Sequence, residues 1–344
     1  MSMSISSLIT LFPLASALLF AFVTFLVSHQ VTNLLIGVFT QRGILDHPNS
    51  RSSHQVPTPY GGGIGLLSGL LPSWLALSFL APNTPIALPG VICAGIFLAV
   101  TSWIDDRRGL HPIPRLFVQS LCIALVLFLG PFKGPIFGGF LPPYFDTFAA
   151  AILWLWFINL FNFMDGIDGL ASVQTAAIGI GVFITAKIGN LEGHWLALGL
   201  TTSAAAIGFL RWNWHPAKIF MGDVGSATLG FLLGWLLLSL AAAGHPVPAL
   251  ILPLYFFADA TLTLFRRMTR GEAVWRAHKE HFYQMAIQSG LRHDQVSGIV
   301  SVCCLFMIAL TMVAMRGLPS AALVGALAAV ALLLFLLAKG GPTE

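Results

Sequence analysis

Aspartates and asparagines recur in this sequence at spacings that suit the binding of a metal ion and a phosphate group. Asn159, Asn162 and Asp165 are three residues apart, so on a helix they lie within one face. Gly166 then allows the chain to turn and bring Asp168 near the same point. Amide and carboxylate oxygens that meet at a helix end suit Mg²⁺ with a phosphate partner. We therefore predict that this stretch binds a cation and a substrate phosphate.

Two further acidic motifs stand at the ends of apolar stretches. Asp105 and Asp106 are adjacent, and two such carboxylates repel each other unless a proton or a cation is shared. Asp223 lies between Gly222 and Gly225, which allow close backbone approach. Asp223 is there either an ordinary helix N-cap or an acid that holds a metal, since it would otherwise repel phosphate. Because the sequence contains other acidic motifs of this kind, we favour the interpretation that Asp223 holds a metal.

Basic residues and histidines in two other segments are candidates for phosphate binding. Arg51 and His54 lie in the first of these segments, and Arg276, His278 and His281 lie in the second. Two histidines three residues apart could bind zinc, but no cysteine and no HExxH pattern accompanies them. Phosphate contact is therefore favoured, although the anionic inner leaflet accounts for part of the positive charge.

The composition requires a membrane. Hydrophobic residues make up 57% of the 344 residues, charged residues make up 9%, and the mean hydropathy is +0.86. Soluble domains carry about 25% charged residues, so lipid must solvate this apolar surface. We predict an all-α integral membrane protein, in which residues 1–344 form a single polytopic domain with about eleven transmembrane helices. The predicted spans are 8–38, 61–81, 86–104, 114–131, 147–164, 170–188, 194–211, 222–243, 247–267, 296–315 and 319–338. The first is expected to be a retained span, because it is longer than the core of a signal peptide.

The distribution of positive charge predicts the orientation. Of 17 lysines and arginines, only Lys133, Lys187 and Arg316 fall in the even-numbered connections between the eleven spans. The positive-inside rule then makes the odd-numbered connections cytoplasmic and leaves the N-terminus outside. The acids described above lie on the same side. The predicted active site is therefore formed by cytoplasmic loops at about 40–60, 105–113, 159–169, 212–223 and 268–295.

Taken in order, these motifs resemble those of the polyprenyl-phosphate N-acetylhexosamine-1-phosphate transferases, which are glycosyltransferases of family 4. The resemblance covers about residues 40–290. The segments that carry it are DHPNSRSSHQVPTP with the following GG, DD, NLFNFMDGIDGLA, FMGDVGS with LG, and an arginine pair followed by AHKEHFYQ. The peptidoglycan enzyme of this family has a lysine near the position of Gln55 and a contiguous histidine triplet in the last loop. Here the last loop has HKEH, which is closer to the O-antigen-initiating branch.

The resemblance implies a bacterial inner-membrane enzyme that transfers a sugar-1-phosphate from a UDP-N-acetylhexosamine to undecaprenyl phosphate and releases UMP. The pathway would be O-antigen, lipopolysaccharide or another cell-envelope polysaccharide. The implied cofactor is Mg²⁺, with Mn²⁺ as an alternative. A homodimer is compatible with the family, whereas no nucleic acid partner is expected. N-acetylglucosamine, N-acetylquinovosamine and N-acetylfucosamine remain open as the donor sugar.

The resemblance also assigns roles to the motif residues. Asp223 would be the main metal ligand, with Asp105 and Asp106 as an acidic pair beside the lipid phosphate and further metal ligands. Asp168 is included with this pair as a catalytic residue. The remaining predicted residues would bind substrate, namely Arg51, His54, Asn159, Asn162, Asp165, Arg276, His278 and His281.

Three questions remain open from the sequence. The lipid phosphate could attack the diphosphate directly, with Asp105 positioning it or taking a residual proton, or an aspartyl-phosphate could form first. A transporter of a phosphorylated or nucleotide-sugar substrate is the alternative function, since membrane carboxylates are also common in transporters. Asp259, about two turns before Arg266, is either a partner of a cytoplasmic arginine or part of the polar centre.

Overall fold

The computed structural model describes residues 13–48, 56–81, 83–109, 111–130, 132–273 and 278–339. Its elements in chain order are α1 (Pro13–Gln41), β1 (Leu45–Asp46), β2 (Thr58–Pro59), α2 (Gly63–Leu80), α3 (Leu88–Arg108), α4 (Pro112–Leu129), α5 (Pro143–Phe163), α6 (Leu170–Ile188), α7 (Gly193–Asn213), α8 (Asp223–Ala242), α9 (Pro246–Ile251), α10 (Leu254–Thr269), α11 (Phe282–Gln288), α12 (His293–Met315) and α13 (Pro319–Lys339).

Ten helices in the described part of the chain are long and apolar enough to cross a membrane, namely α1 to α8, α12 and α13. The prediction of an all-α, multi-pass membrane protein is thus confirmed. The predicted ninth span is divided into α9 and α10 at Pro253, because proline lacks an N–H and its ring clashes with the preceding turn. The carbonyl oxygen of Leu252 at this break accepts a hydrogen bond from the Gln174 side chain at 2.9 Å. That residues 1–344 form a single domain stays a prediction.

Helix α8 forms the centre of the bundle. In an apolar stretch of 18 residues within this helix, 94% of the residues are buried. The helix contacts α2, α3, α5, α6 and α9. A helix that is apolar on all sides is expected to be buried in this way. Glycines bring it close to α5, since a Cβ on Gly230 would lie 2.8 Å from the Ile158 Cα and one on Gly234 would lie 2.4 Å from the Trp154 ring. The start of α8 is therefore held firmly relative to α5.

Helices α1 and α2 also pack through small residues. A Cβ on Gly65 would lie 2.3 Å from the Thr32 hydroxyl, and one on Gly69 would lie 2.7 Å from the Thr24 carbonyl oxygen. Small residues let helix backbones approach closely where lipid gives no hydrophobic drive for association. In an apolar stretch of 18 residues within α1, only 17% of the residues are buried, so most of this helix faces outward.

The first predicted loop is joined to the segment before α8. Strands β1 and β2 pair antiparallel, and the residue after β2, Tyr60, forms a parallel bridge with Phe220. The N–H groups of Gly61 and Gly62 both donate to the Phe220 carbonyl, at 3.1 and 2.8 Å. A Cβ on Gly63 would lie 2.2 Å from the Gly225 Cα, which confirms that the glycines near Asp223 permit close backbone approach. The segment after β2 and the start of α8 are therefore held together.

Candidate active site

Asp106, at the end of α3, caps the start of α8. Its Oδ1 accepts the Asp223 N–H at 2.9 Å and its Oδ2 accepts the Val224 N–H at 3.0 Å. The first N–H groups of a helix have no partner within the helix, and the positive end of its dipole favours a carboxylate. Gly222 precedes the helix with φ +74°, and a Cβ there would lie 3.0 Å from Asp106. The cap therefore comes from another helix, and Asp223 occupies the first helical position.

The Asp223 side chain is held by two donors from two other helices. Arg115 donates to its Oδ2 at 2.8 Å, and Asn162 donates to its Oδ1 at 2.8 Å. Asn162 also donates to the Ser226 hydroxyl at 2.9 Å, one turn further along α8. The predicted residues Asn162 and Asp223 are thus brought together, about sixty positions apart in sequence. The end of α5 and the start of α8 therefore meet at one site.

Arg115 connects the two acidic motifs. Its Nε lies 2.9 Å from Asp105, so one guanidinium group bridges Asp105 and Asp223. The planar guanidinium group can hold two carboxylates at once, which an ammonium group does less well. Sequence reasoning did not select this residue. One available signal was its place in the first turn of α4, where the helix dipole disfavours a cation without an acidic partner.

Asp105, Asp106, Asp165 and Asp223 form an acidic cluster, and these acids outnumber Arg115, the cation that binds Asp105 and Asp223. Burial, and then the charge of Asp223 and of two other nearby aspartates, raises the pKa of Asp165 well above its usual value. In the described part of the chain no hydrogen-bond donor contacts the Asp165 carboxyl group. A carboxyl group without donors beside other aspartates is the kind of oxygen ligand that Mg²⁺ takes, so the chemistry of these side chains suits the ion. In the described residues, however, three donor atoms lie within 4.8 Å of one another only at Asp168, His215 and His293.

Asp168 is bound differently from the other acids. Its Oδ2 lies 2.6 Å from Nδ1 of His215 and accepts the Ala217 N–H at 3.1 Å, while its Oδ1 lies 3.2 Å from Nδ1 of His293. Burial would raise the pKa of Asp168, but the hydrogen bonds from His293 and His215 lower it below its usual value. One oxygen of Asp168 and one nitrogen of each histidine lie within 4.8 Å of one another. These histidines lie far apart in sequence, and no local motif indicated them.

Asn159 contacts Gln119 rather than the acids. Its side chain donates to Gln119 Oε1 at 2.8 Å, whereas Asn162 on the next turn contacts Asp223. Gln119 lines a cavity of about 100 Å³ between α3 and α4. The cavity walls are mainly apolar, and Asp105 and Arg115 also line it. The remaining lining residues are Leu98, Thr101, Ser102, Ile104, Pro114, Val118 and Ala227.

The predicted histidine loop packs on the end of α5. The Tyr283 hydroxyl donates to the carbonyl oxygen of Phe163, the last residue of α5, at 2.9 Å. A Cβ on Gly166 would lie 2.1 Å from this hydroxyl, so the close approach requires glycine. The His281 ring stacks near Phe163 with 6.3 Å between ring centroids, and the rings of His278 and His281 are 4.8 Å apart. The histidines therefore lie next to the turn that carries Asp165.

Much of the positive charge of this loop is neutralised within the loop. Arg267 pairs with Glu280 at 3.2 Å and with Glu272 at 3.3 Å, and Arg270 pairs with the same two glutamates. Burial, followed by the charges of His281 and Arg267, lowers the pKa of His278 to about 4. His278 is therefore neutral near pH 7, and fewer charges are available for phosphate than the sequence suggests. The predicted residues Arg51, His54 and Arg276 lie outside the described residues.

The region that holds the acidic motifs matches a family model. Residues 88–241, which include Asp105, Asp165 and Asp223, match the model of glycosyl transferase family 4. The match covers a little under half of the chain, so the chain is similar to this family over its central helices. The resemblance predicted from the ordered motifs is thus confirmed, and the family region spans the helices from α3 to α8 that position these acids.

Three proteins named as polyprenyl-phosphate sugar-phosphate transferases resemble the chain over about three quarters of its length. A Bacillus subtilis (strain 168) protein named "Probable undecaprenyl-phosphate N-acetylglucosaminyl 1-phosphate transferase" is 29% identical over 79% of this chain and 78% of its own. The decaprenyl-phosphate N-acetylglucosaminephosphotransferase of Mycobacterium leprae (strain TN) is 28% identical over 76% of this chain and 75% of its own. The undecaprenyl-phosphate alpha-N-acetylglucosaminyl 1-phosphate transferase of Yersinia pestis is 29% identical over 76% and 74%.

Proposed function

We propose that this protein transfers N-acetylglucosamine-1-phosphate from UDP-N-acetylglucosamine to a polyprenyl phosphate, undecaprenyl phosphate in the first instance, and releases UMP. The observation that carries the proposal is the position of Arg115, which bridges Asp105 and Asp223 where an apolar cavity meets the acidic cluster. A substrate with a phosphate head and a hydrocarbon tail matches this combination. The relatives' names support the same reaction class and favour N-acetylglucosamine among the open donor sugars.

The acceptor phosphate would lie at Arg115, with the first isoprene units in the cavity between α3 and α4. Guanidinium groups bind phosphate through two parallel hydrogen bonds, and the same fork now holds two carboxylates. The second pKa of a phosphate monoester is near 6, so the acceptor is largely dianionic at neutral pH and needs little help from a base. Asp105, beside Arg115, would then position the acceptor or take a residual proton.

A divalent cation would hold the donor diphosphate at the carboxylates of the acidic cluster. Asp223 and Asp165 are the acids that we propose as its principal ligands, with Asp105 and Asp106 beside them. When bound, Mg²⁺, or Mn²⁺ in its place, would offset the charge of the diphosphate and of the departing UMP. Asp106 fixes the direction of Asp223 through the two backbone hydrogen bonds at the start of α8. His278 and His281 would contact the donor from the other side.

In the reaction we propose, an oxygen of the lipid phosphate attacks the β-phosphorus of the UDP-sugar. The bond between the β-phosphorus and the bridging oxygen breaks, and UMP leaves with that oxygen. A lipid diphosphate carrying the sugar is the other product, so no water is consumed. Direct attack is favoured over an aspartyl-phosphate, because both Asp106 oxygens already accept backbone N–H groups and Asp105 is paired with Arg115. Phosphorylated enzyme trapped from UDP-sugar alone would contradict direct attack.

The cellular setting is also a proposal. The asymmetric charge of the predicted loops supports a bacterial inner membrane location with the site facing the cytoplasm and the N-terminus facing the periplasm. The reaction would be the first membrane step of O-antigen, lipopolysaccharide or a related cell-envelope polysaccharide. Formation of a homodimer stays a prediction.

The proposal is tested with purified protein in detergent, supplied with undecaprenyl phosphate, Mg²⁺ and a panel of UDP-N-acetylhexosamines. We expect UMP release with UDP-N-acetylglucosamine that requires the lipid, stops with EDTA and is lost in Asp223→Asn. Gly298→Ala is a matched control on α12, since a Cβ there would meet no atom within 4 Å. UMP release that continues unchanged in EDTA would contradict the metal requirement. Uptake of nucleotide sugar into vesicles without UMP release would support the transporter alternative instead.

A further inference from the structure

Asp259 is a carboxylate with no exposed surface, inside α10, and it organises the histidine loop. It accepts the N–H groups of Phe282 and Tyr283 at 3.0 and 3.2 Å. These residues begin α11, so Asp259 caps this short helix from outside. The arginine partnership considered from the sequence does not occur within the described residues, where Arg267 and Arg270 pair with glutamates instead. Asp259 instead contacts the start of α11.

The same carboxylate contacts the His281 ring. Its Oδ1 lies 3.2 Å from Nδ1 of His281, which is itself only 3% exposed, and the Tyr255 and Thr263 hydroxyls also donate to it at 3.1 and 3.4 Å. An ionised carboxylate can only accept hydrogen bonds, so its neighbours must donate. The ring nitrogen that faces Asp259 is then the protonated one, and Nε2 is left as the acceptor.

A second group competes for the His281 ring. The backbone N–H of Gln284 approaches the His281 side chain in the capping arrangement at the start of α11. That N–H would favour an unprotonated Nδ1, which would place a lone pair against the Asp259 carboxylate. The negative charge of the carboxylate opposes this arrangement, so Asp259 decides between the two tautomers.

We propose that Asp259 is a positioning residue: it orders the turn into α11 and holds His281 as the Nδ1–H tautomer against the end of α5. The place of His281 beside Phe163, two residues before Asp165, connects this effect to the acidic cluster. The part of the proposal that concerns turnover rests on the proposed function. The tautomer of His281 does not rest on it and is measured without substrate.

The test uses ¹⁵N-histidine-labelled full-length protein, with the His281 signals identified by their loss in His281→Gln. We expect Nδ1–H in the wild type and a change to Nε2–H in Asp259→Asn, where Gln284 takes over Nδ1. In the same variant we expect the rate of UMP release to fall roughly tenfold or more, as when a histidine loses the side chain that orients it. Asp146→Asn is the matched control, because this buried carboxylate also accepts two backbone N–H groups, at 3.0 Å each, but at the opposite end of α5.

Wild-type protein with the Nε2–H tautomer at His281 would overturn the proposal, even if Asp259→Asn does not fold. An unchanged tautomer in folded Asp259→Asn would overturn it as well. A changed tautomer with an unchanged rate of UMP release would contradict the positioning role. If the wild type releases no UMP, the proposed function fails, while the spectra still decide the role of Asp259.

Discussion

The cap that Asp106 forms on α8 predicts different outcomes for two conservative substitutions in the same cluster. In Asp106→Asn one oxygen remains as an acceptor, so one of the two hydrogen bonds to the start of α8 is lost. A hydrogen bond to a charged group contributes about 1.5–3 kcal/mol, and a charge at a helix N-terminus contributes about 0.3–1 kcal/mol. The local free energy of opening at the start of α8 should fall by about 2–4 kcal/mol, the sum of these two contributions.

Hydrogen–deuterium exchange in detergent measures this opening directly. A decrease of 2–4 kcal/mol corresponds to roughly 30- to 700-fold faster exchange of the first α8 amides. Asp223→Asn should accelerate the same amides by no more than about fivefold, because it removes a half-exposed ion pair worth about 0–1 kcal/mol and relieves repulsion with Asp165. Both variants should lose UMP release. Equal acceleration in the two variants, or none in Asp106→Asn, would refute the assignment of Asp106 as the cap.

Three further substitutions test other parts of the site. Arg115→Lys should lower the rate of UMP release roughly tenfold and raise the KM for the lipid, because an ammonium group cannot reproduce the forked contacts of the guanidinium group; an unchanged KM would contradict the acceptor site. Gly166→Ala should displace the Tyr283 hydroxyl and lower both thermal stability and activity, whereas Gly298→Ala should be neutral; equal effects would contradict this packing. His278 has a pKa of about 4 when folded and near 6.5 when unfolded, so the unfolded state binds more protons between these values and stability should fall as pH falls through this window. His278→Gln should reduce that decrease in thermal unfolding scans from about pH 6.5 to 4, and an unchanged slope would exclude His278 as its source.

The helices could be predicted from the sequence because lipid makes the requirement for apolar length simple. Predicted span 170–188 coincides with α6, and the described parts of the other spans, except the ninth, overlap with single observed helices. The division of the ninth span at Pro253 was not predicted, because its stability depends on a distant side chain, Gln174, that satisfies the broken turn. Local propensity alone does not contain such a contact.

The acids of the candidate site and Asn162 could be selected from the sequence, since their types and spacing are unusual inside apolar sequence. The different roles of these acids could not be predicted from the sequence. Asp106 and Asp223 both resemble candidate metal ligands in sequence, and only the approach of α3 to α8 makes one the cap of the other. Arg115 and His293 were missed for a related reason, because single residues next to distant acids carry no local motif. Tertiary packing decides which of these partners meet.

The fate of the β-phosphorus tests the central claim most directly. UDP-N-acetylglucosamine labelled with ³²P at the β-phosphorus and with ³H in the sugar is incubated with the protein, undecaprenyl phosphate and Mg²⁺, and lipid and nucleotide products are separated. If the site transfers a sugar-1-phosphate, both labels appear in the lipid in equal amounts, and the nucleotide released is unlabelled UMP. Sugar label in the lipid with ³²P left in UDP, or no label in the lipid from folded protein, would contradict the account.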